Sequence, residues 1–281
     1  MIFVAGCILT NVLLLIWLRF WQAPLLTLIT LNYFVCVGLA EFIEPLSLSS
    51  LQKLSPLSLL VLGIQGILFI SVFLLTGKAV RNIGVGLTGM LTKLSVILPI
   101  GFAALFLKER LTERQVAGLL IGVAAIILVH APYLRAGGLP HLLRFARVGF
   151  ILWIGNGVID ILFKAFYPTW HPLSPLQIPL CIMSVAGLLG ILLHTVRNQF
   201  PSLFQTKVWL GALILGAINL LSIFFYLKAL NTLPAVQFFL WNNLGIILLS
   251  GIVGIAFFKE KLSWEVGIGY ALGVGAIFLT A

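Results

Sequence analysis

The chain has 281 residues, of which 61% are hydrophobic and only 9% are charged. Soluble proteins are about 45–50% apolar and about 25% charged, so this composition excludes an ordinary soluble domain and predicts an integral membrane protein. The net charge of +10 reflects a shortage of acidic residues rather than a basic domain. Because the sequence has no zinc-finger spacing and no aromatic-rich basic module, nucleic-acid binding is not expected.

Ten apolar segments are predicted to span the membrane, since a transmembrane helix needs about 20 mostly apolar residues. The first segment follows Met1 without a basic stretch before it or a small-residue cleavage site after it, which favours a transmembrane helix over a signal peptide. The predicted spans are 2–19, 23–43, 57–77, 84–106, 114–131, 148–166, 175–196, 207–229, 235–257 and 264–280.

An internal repeat divides the chain into two halves. Residues 106–129 align without gaps on residues 257–280 with ten identities, including the polar corners K-E-R-L-T and K-E-K-L-S. We therefore expect a first five-helix repeat at 1–131, a linker at 132–147 and a second repeat at 148–281. Because five is an odd number, the second copy enters the membrane from the opposite side, an arrangement typical of secondary transporters. The predicted fold class is an all-α integral membrane protein with ten transmembrane helices in two inverted five-helix repeats.

These motifs resemble the drug/metabolite transporter superfamily, specifically its EamA-type members with ten helices. The resemblance rests on Pro99, the K-E-R-L-T corner at 108–112 and the K-E-K-L-S corner at 259–263, together with paired glycines in the helix that follows each corner. The sequence departs from the pattern at Ser250, which stands where the first copy has Pro99. The resemblance implies export or exchange of small metabolites, amino acids or drugs through a central cavity in a bacterial inner membrane. It also implies that Glu109 and Glu260 lie in interfacial turns.

Asp160 is the only aspartate in the chain, and it lies in the sixth predicted span. An ionisable side chain in a membrane span indicates a functional site by default. Asn156, Asp160 and Lys164 are spaced by four residues and so share one helical face. Two interpretations stay open. Asp160 either forms an ion pair with Lys164 that holds the helix in register, or faces a cavity and binds a proton or a cationic group.

Lys93 is a second charge deep in a span, six residues before Pro99. An unpaired ammonium facing lipid is too costly, so we expect Lys93 to face a cavity, either as the partner of Asp160 or as the anchor of a substrate carboxylate or phosphate. Asn11 is a further candidate because it matches Asn156 in the register of the two repeats. Pro99 also frees the backbone carbonyl near Ser95, which is expected either to bend the helix or to offer an oxygen ligand.

Polar and aromatic residues in the eighth and ninth spans complete the candidates. Asn242 and Asn243 point about 100° apart on a helix, so at least one of them faces other helices, as a cavity group or as an interhelical hydrogen bond. Gln237 is a polar candidate in the same span. Trp241 and Tyr226 are candidates for an aromatic wall around an organic substrate.

Enzyme motifs are absent from the sequence, which contains no HExxH, GxSxG or P-loop. We therefore expect no catalytic activity, no cofactor and no metal, and a monomer or homodimer whose partners are a small-molecule substrate and membrane lipid. The first hypothesis is a secondary transporter of small organic metabolites that works by alternating access, with possible proton coupling. The alternative is a non-transporting membrane scaffold or accessory subunit.

Overall fold

A computed structural model of the protein describes residues 1–108, 112–135, 139–197, 203–259 and 263–280. These residues are helical, and no β-strand occurs among them. The helices are α1 (Ile2–Phe20), α2 (Leu25–Ile43), α3 (Leu48–Gln52), α4 (Pro56–Ile83), α5 (Val85–Lys93), α6 (Ile97–Phe106), α7 (Glu113–Arg135), α8 (Leu139–Phe166), α9 (Gln177–Val196), α10 (Thr206–Thr232), α11 (Ala235–Phe258) and α12 (Trp264–Thr280).

Within the described residues, eight helical segments are long and apolar enough to cross a membrane. They are Ile2–Phe20, Leu25–Ile43, Pro56–Ile83, Val85–Phe106, Arg147–Trp170, Gln177–Val196, Thr206–Thr232 and Ala235–Phe258. The chain is therefore a multi-pass membrane protein. The fifth and tenth predicted spans correspond to α7 and α12, which are helical but are not among these eight segments.

Local sequence signals explain where α4 begins and ends. The Ser55 hydroxyl accepts a hydrogen bond of 3.1 Å from the Ser58 amide, which caps the first turn, and Pro56 occupies the first helical position. The helix ends at Gly84, whose φ of 99° favours glycine. The helix therefore continues six residues beyond the predicted end at 77, because Lys78 and Arg81 extend it rather than end it.

The fourth predicted span is interrupted in its middle. A short 3₁₀ segment, Leu94–Val96, separates α5 from α6. Pro99 lacks the amide that would donate to the Ser95 carbonyl in a regular helix. At the same point the Ser95 hydroxyl donates to the Thr92 carbonyl at 2.9 Å. Lys93 thus becomes the last residue of α5, at a break in the helix.

Two arginines join the end of α1 to the end of α4. Arg81 donates hydrogen bonds to the carbonyls of Leu18, Trp21 and Ala23 at 3.2, 2.9 and 2.8 Å. Arg19 donates in return to the Arg81 carbonyl. These bonds satisfy carbonyls that the end of α1 and the following turn leave without helical partners.

The predicted linker at 132–147 lies largely within helical backbone, since α7 extends to Arg135 and α8 begins at Leu139. Residues 136–138 lie outside the described residues. Glu109 and Glu260 of the two polar corners also lie outside them. The first residues of the two corners share an unusual conformation, since Lys108 and Lys259 have left-handed φ values of 54° and 53°.

The helices pack against one another as a bundle. The α2 helix packs on α9 and α10, α1 on α10 and α11, and α4 on α8 and α9. The α5 helix packs on α11, and α7 packs most extensively on α12. This arrangement leaves a space bordered by α1, α4, α5, α8, α10 and α11.

Candidate functional site

A cavity of about 140 Å³ lies in the space between these six helices. Its apolar lining includes Leu14, Leu15, Phe69, Val72, Phe73 and Ile223. Its polar lining consists of Asn11, Thr76, Thr92, Lys93, Asn156, Asp160, Asn219, Ser222 and Tyr226. No group of three His, Cys, Asp or Glu side chains in the described part of the chain is placed to hold a metal ion.

Asp160 is the acidic group of this cavity. It is buried, and the Tyr226 hydroxyl donates a hydrogen bond of 2.7 Å to its Oδ1 atom. A hydrogen bond of this length to a buried carboxylate is among the stronger kinds in proteins. Two sequence candidates from different helices, α8 and α10, therefore meet in one polar pair.

Lys93 brings a positive charge to the same cavity. Its position at the C-terminal end of α5 is electrostatically favourable, because that end of a helix carries a partial negative charge. Lys93 and Asp160 both line this cavity. The cavity therefore contains one acidic and one basic side chain.

Asn11 and Asn156 lie on the cavity wall, as their matching positions in the two halves suggested. The Asn11 amide donates to the Cys7 carbonyl and to the Ser222 hydroxyl, both at 2.9 Å. Asn156 donates to the Leu152 carbonyl at 2.8 Å. The first of these side chains links α1 to α10, whereas Asn156 bonds within α8.

Asn219 is a cavity residue that the sequence analysis missed. It is buried, and its amide donates to the Asn32 side-chain oxygen at 3.0 Å, which ties α10 to α2. A sequence signal was available, because Asn219, Ser222 and Tyr226 are spaced three and four residues apart and so share one helical face.

Aromatic rings line one end of the cavity and continue beyond it. The Phe163 ring lies 5.9 Å from Phe69, 6.0 Å from Trp170 and 5.3 Å from Tyr226, measured between ring centroids. Tyr226 also packs edge-on against Phe238 at 5.0 Å. These five residues are called the aromatic cluster below. Phe163, Trp170 and Phe238 are almost completely buried, so the cluster fills the bundle at this end.

Five other sequence candidates lie outside the lining of this cavity: Gln237, Trp241, Asn242, Asn243 and Lys164. Asn243 is fully buried, yet neither atom of its amide has a hydrogen-bond partner in the described part of the chain, and the same holds for the Asn242 oxygen. The interhelical hydrogen bond considered for Asn243 is therefore not formed. Lys164 is half-buried on α8.

Replacing Tyr226 with phenylalanine is expected to destabilise the protein by about 1.5–3 kcal/mol, the usual contribution of a hydrogen bond to a charged group. The substitution keeps the ring in the aromatic cluster and removes the hydroxyl that Asp160 accepts from. Thermal unfolding of the purified protein in detergent measures the effect.

Tyr33 supplies the matched control. It is buried like Tyr226, but its hydroxyl has no hydrogen-bond partner among the described residues. Tyr33→Phe removes an unsatisfied polar group, so its stability should be unchanged or slightly higher. Equal melting temperatures for the two variants would contradict a strong Tyr226–Asp160 bond.

Comparisons with known proteins bear on the fold rather than on this site. No family model matches the sequence. An uncharacterized protein from Haemophilus influenzae is 28% identical over 256 residues, which cover 90% of this chain and 84% of that protein. A crystal structure superimposes with a TM-score of 0.73 and 18% identity, covering 100% of this chain and 96% of the other. The chain shares a solved fold along its whole length. Neither relative's description states an activity.

Proposed function

We propose that the protein is a secondary carrier of the EamA type, which exports or exchanges small organic metabolites, such as amino acids or drugs, across a bacterial inner membrane. It has ten transmembrane helices in two inverted five-helix repeats and moves its substrate by alternating access. The observation that carries the proposal is the cavity between the two halves, where Asp160 and Lys93 face a common space.

The packing of the helices supports two inverted repeats. In the two halves, α1 is equivalent to α8, α2 to α9 and α4 to α10. Exchanging equivalent helices turns the contact of α2 with α10 into the contact of α9 with α4, and both contacts occur. The contact of α1 with α10 likewise becomes that of α8 with α4, which also occurs. The contacts of α2 with α9, α5 with α11 and α7 with α12 join equivalent helices of the two halves.

Two glycines support the same symmetry at the level of single atoms. A methyl group added at Gly66 would lie 2.6 Å from the Val185 Cβ atom, and one added at Gly216 would lie 2.7 Å from the Val35 Cβ atom. Adding 150 to the numbers of Gly66 and Val35 gives Gly216 and Val185. The close approach of α4 to α9 is therefore repeated by the approach of α10 to α2.

The aromatic cluster is proposed to close the cavity at one end. It lies where α8 ends and the 3₁₀ segment Tyr167–Trp170 begins. At the offset of 145 that relates Asn11 to Asn156, Leu18 aligns with Phe163, and at the offset of 150 that relates Gly66 to Gly216, Thr76 aligns with Tyr226. These two positions are therefore aromatic in the second half and not in the first.

Proton coupling is proposed to pass through Asp160. A buried carboxyl group is neutralised either by a proton or by a nearby cation. Tyr226 on α10 donates a hydrogen bond to it, and Lys93 on α5 lines the same cavity. A carboxyl that alternates between a proton and a cationic ligand couples the movement of one to the counter-movement of the other.

A transport assay on purified protein tests the proposal. A thermal-shift screen over amino acids, nucleosides, sugars and organic cations first identifies ligands that stabilise the folded protein. Proteoliposomes are then loaded with a stabilising ligand, and we expect its flux to exceed that of protein-free liposomes and to increase with an imposed pH gradient.

The alternative, a non-transporting scaffold or accessory subunit, makes the opposite prediction. If folded protein moves none of the panel above the protein-free background, the carrier proposal is wrong. Flux that ignores the pH gradient would remove only proton coupling. The charged cavity favours the carrier, because a scaffold needs its polar groups only as partners between helices.

A further inference from the structure

The hydrogen bonds of two cavity asparagines determine which atoms they offer to a ligand. The Asn11 amide nitrogen donates to the Cys7 carbonyl, and the Asn156 nitrogen donates to the Leu152 carbonyl. Backbone carbonyls only accept, so these bonds distinguish the nitrogen of each amide from its oxygen. The second N–H of the Asn11 amide donates to the Ser222 hydroxyl. What Asn11 retains for a ligand is therefore its oxygen.

The amide orientation of Asn219, the third asparagine of the cavity, is set by its bond to Asn32. The Asn32 nitrogen donates to the Ile29 carbonyl at 3.2 Å, which leaves the Asn32 oxygen to accept from the Asn219 nitrogen. The amide orientation of Asn219 is therefore also determined by a backbone carbonyl.

The oxygens of Asn11, Asn156 and Asn219 receive no hydrogen bond from the described part of the chain. Together with the Asp160 carboxylate, they make this cavity rich in acceptors. A primary ammonium carries a positive charge and three N–H donors, and so matches this set better than a neutral or an anionic group does.

The charge of Lys93 makes a ligand that carries only a positive charge unfavourable in this cavity. The Lys93 side chain lines the same cavity as Asp160. A ligand with a net positive charge would leave an uncompensated charge inside the protein, which is costly in a medium of low dielectric constant. A ligand that carries both charges satisfies Asp160 and Lys93 together.

We propose that this cavity binds a zwitterion, whose primary ammonium contacts Asp160 and the amide oxygens and whose anionic group contacts Lys93. The apolar lining, including Leu14, Val72 and Phe73, accommodates an apolar substituent. The inference rests on the proposed function above and narrows its substrate class, excluding organic cations as the main ligands.

Three probes with the same leucine side chain test whether the cavity selects a ligand by its charge. Leucine is a zwitterion, leucinamide is a cation and N-acetylleucine is an anion. In thermal-shift titrations of the purified protein, we expect leucine to stabilise the wild type and the other two to have little effect. A stabilisation by leucinamide or N-acetylleucine equal to that by leucine, or no stabilisation by any of the three, would overturn the proposal.

Charge variants test the role of each side chain. Lys93→Met should weaken leucine binding by about tenfold or more and shift the preference to leucinamide. Asp160→Asn should weaken it similarly and shift the preference to N-acetylleucine. Lys164→Gln, on α8 but outside the cavity lining, is the control and should respond as the wild type does. Asn156→Leu keeps both charges and should also weaken leucine binding. This variant tests the proposal if a charge variant does not fold. An unchanged probe preference in both charge variants, or an unweakened leucine response in Asn156→Leu, would contradict the assignment.

Counterflow of labelled leucine in proteoliposomes separates this inference from the carrier proposal. Stabilisation by leucine without counterflow would overturn the carrier and leave the zwitterion site in place. Counterflow of another panel ligand with no response to leucine would overturn the zwitterion site and leave the carrier in place.

Discussion

Asp160→Asn is expected to abolish flux driven by a pH gradient while the protein is still expressed in the membrane. The substitution keeps the size of the side chain and a hydrogen-bond acceptor for Tyr226, but it removes the group that is proposed to take up and release the proton. Flux in proteoliposomes at imposed pH gradients measures the effect. Asp160→Glu retains an ionisable group and should retain part of the coupling.

The same variant is expected to lower stability, because it leaves the Lys93 charge uncompensated. Removing one partner of a buried charge pair costs about 3–5 kcal/mol, and the partial exposure of Lys93 reduces that cost. Adding Lys93→Met to Asp160→Asn should therefore recover stability without recovering flux. Gradient-driven flux in Asp160→Asn at the wild-type rate would exclude Asp160 from the mechanism.

The sequence predicted helix positions closely because the hydrophobic patterning of a membrane chain is strong. Seven of the ten predicted spans begin within two residues of a helix in the structure and end within four of its last residue. The main differences arise where polar residues continue a helix. Arg81 remains helical because it bonds the carbonyls of a neighbouring turn, a tertiary contact that no local pattern reveals.

The sequence was less informative about which polar residues meet. Asp160, Lys93, Asn11, Asn156 and Tyr226 line one cavity, whereas Asn242 and Asn243, equally polar and equally deep in a span, do not. A polar residue in an apolar segment indicates that it avoids lipid, but the helical face alone does not say which neighbour it meets.

The aromatic cluster illustrates the same limit. Aromatic residues make up 12% of the chain, so single rings carried little information. Phe69 and Phe163 are 94 positions apart in the sequence, and their contact depends on how α4 packs on α8. The sequence supplies the rings, and the helix packing decides that they meet.

Gly66→Ala and Gly216→Ala are expected to destabilise the protein by about 1–3 kcal/mol each, the usual cost of overpacking. A Cβ atom at Gly66 would lie 2.7 Å from the Ile182 carbonyl oxygen, and one at Gly216 would lie 2.9 Å from the Asn32 carbonyl oxygen. Backbone cannot move aside as a side chain can, so two helices must separate. Alanine also favours helix by up to about 1 kcal/mol over glycine, which offsets part of the loss.

Gly63 is the matched control because it lies in α4 with open space where a Cβ would be. Gly63→Ala should leave the melting temperature unchanged or raise it slightly, since only the helix-propensity term remains. Similar losses at Gly66 and Gly216 are what two inverted copies of one packing contact require. A loss at one position with full tolerance at the other would show that the two contacts are not energetically equivalent. That result would count against the proposed symmetry of the two halves, on which the proposed alternating access depends.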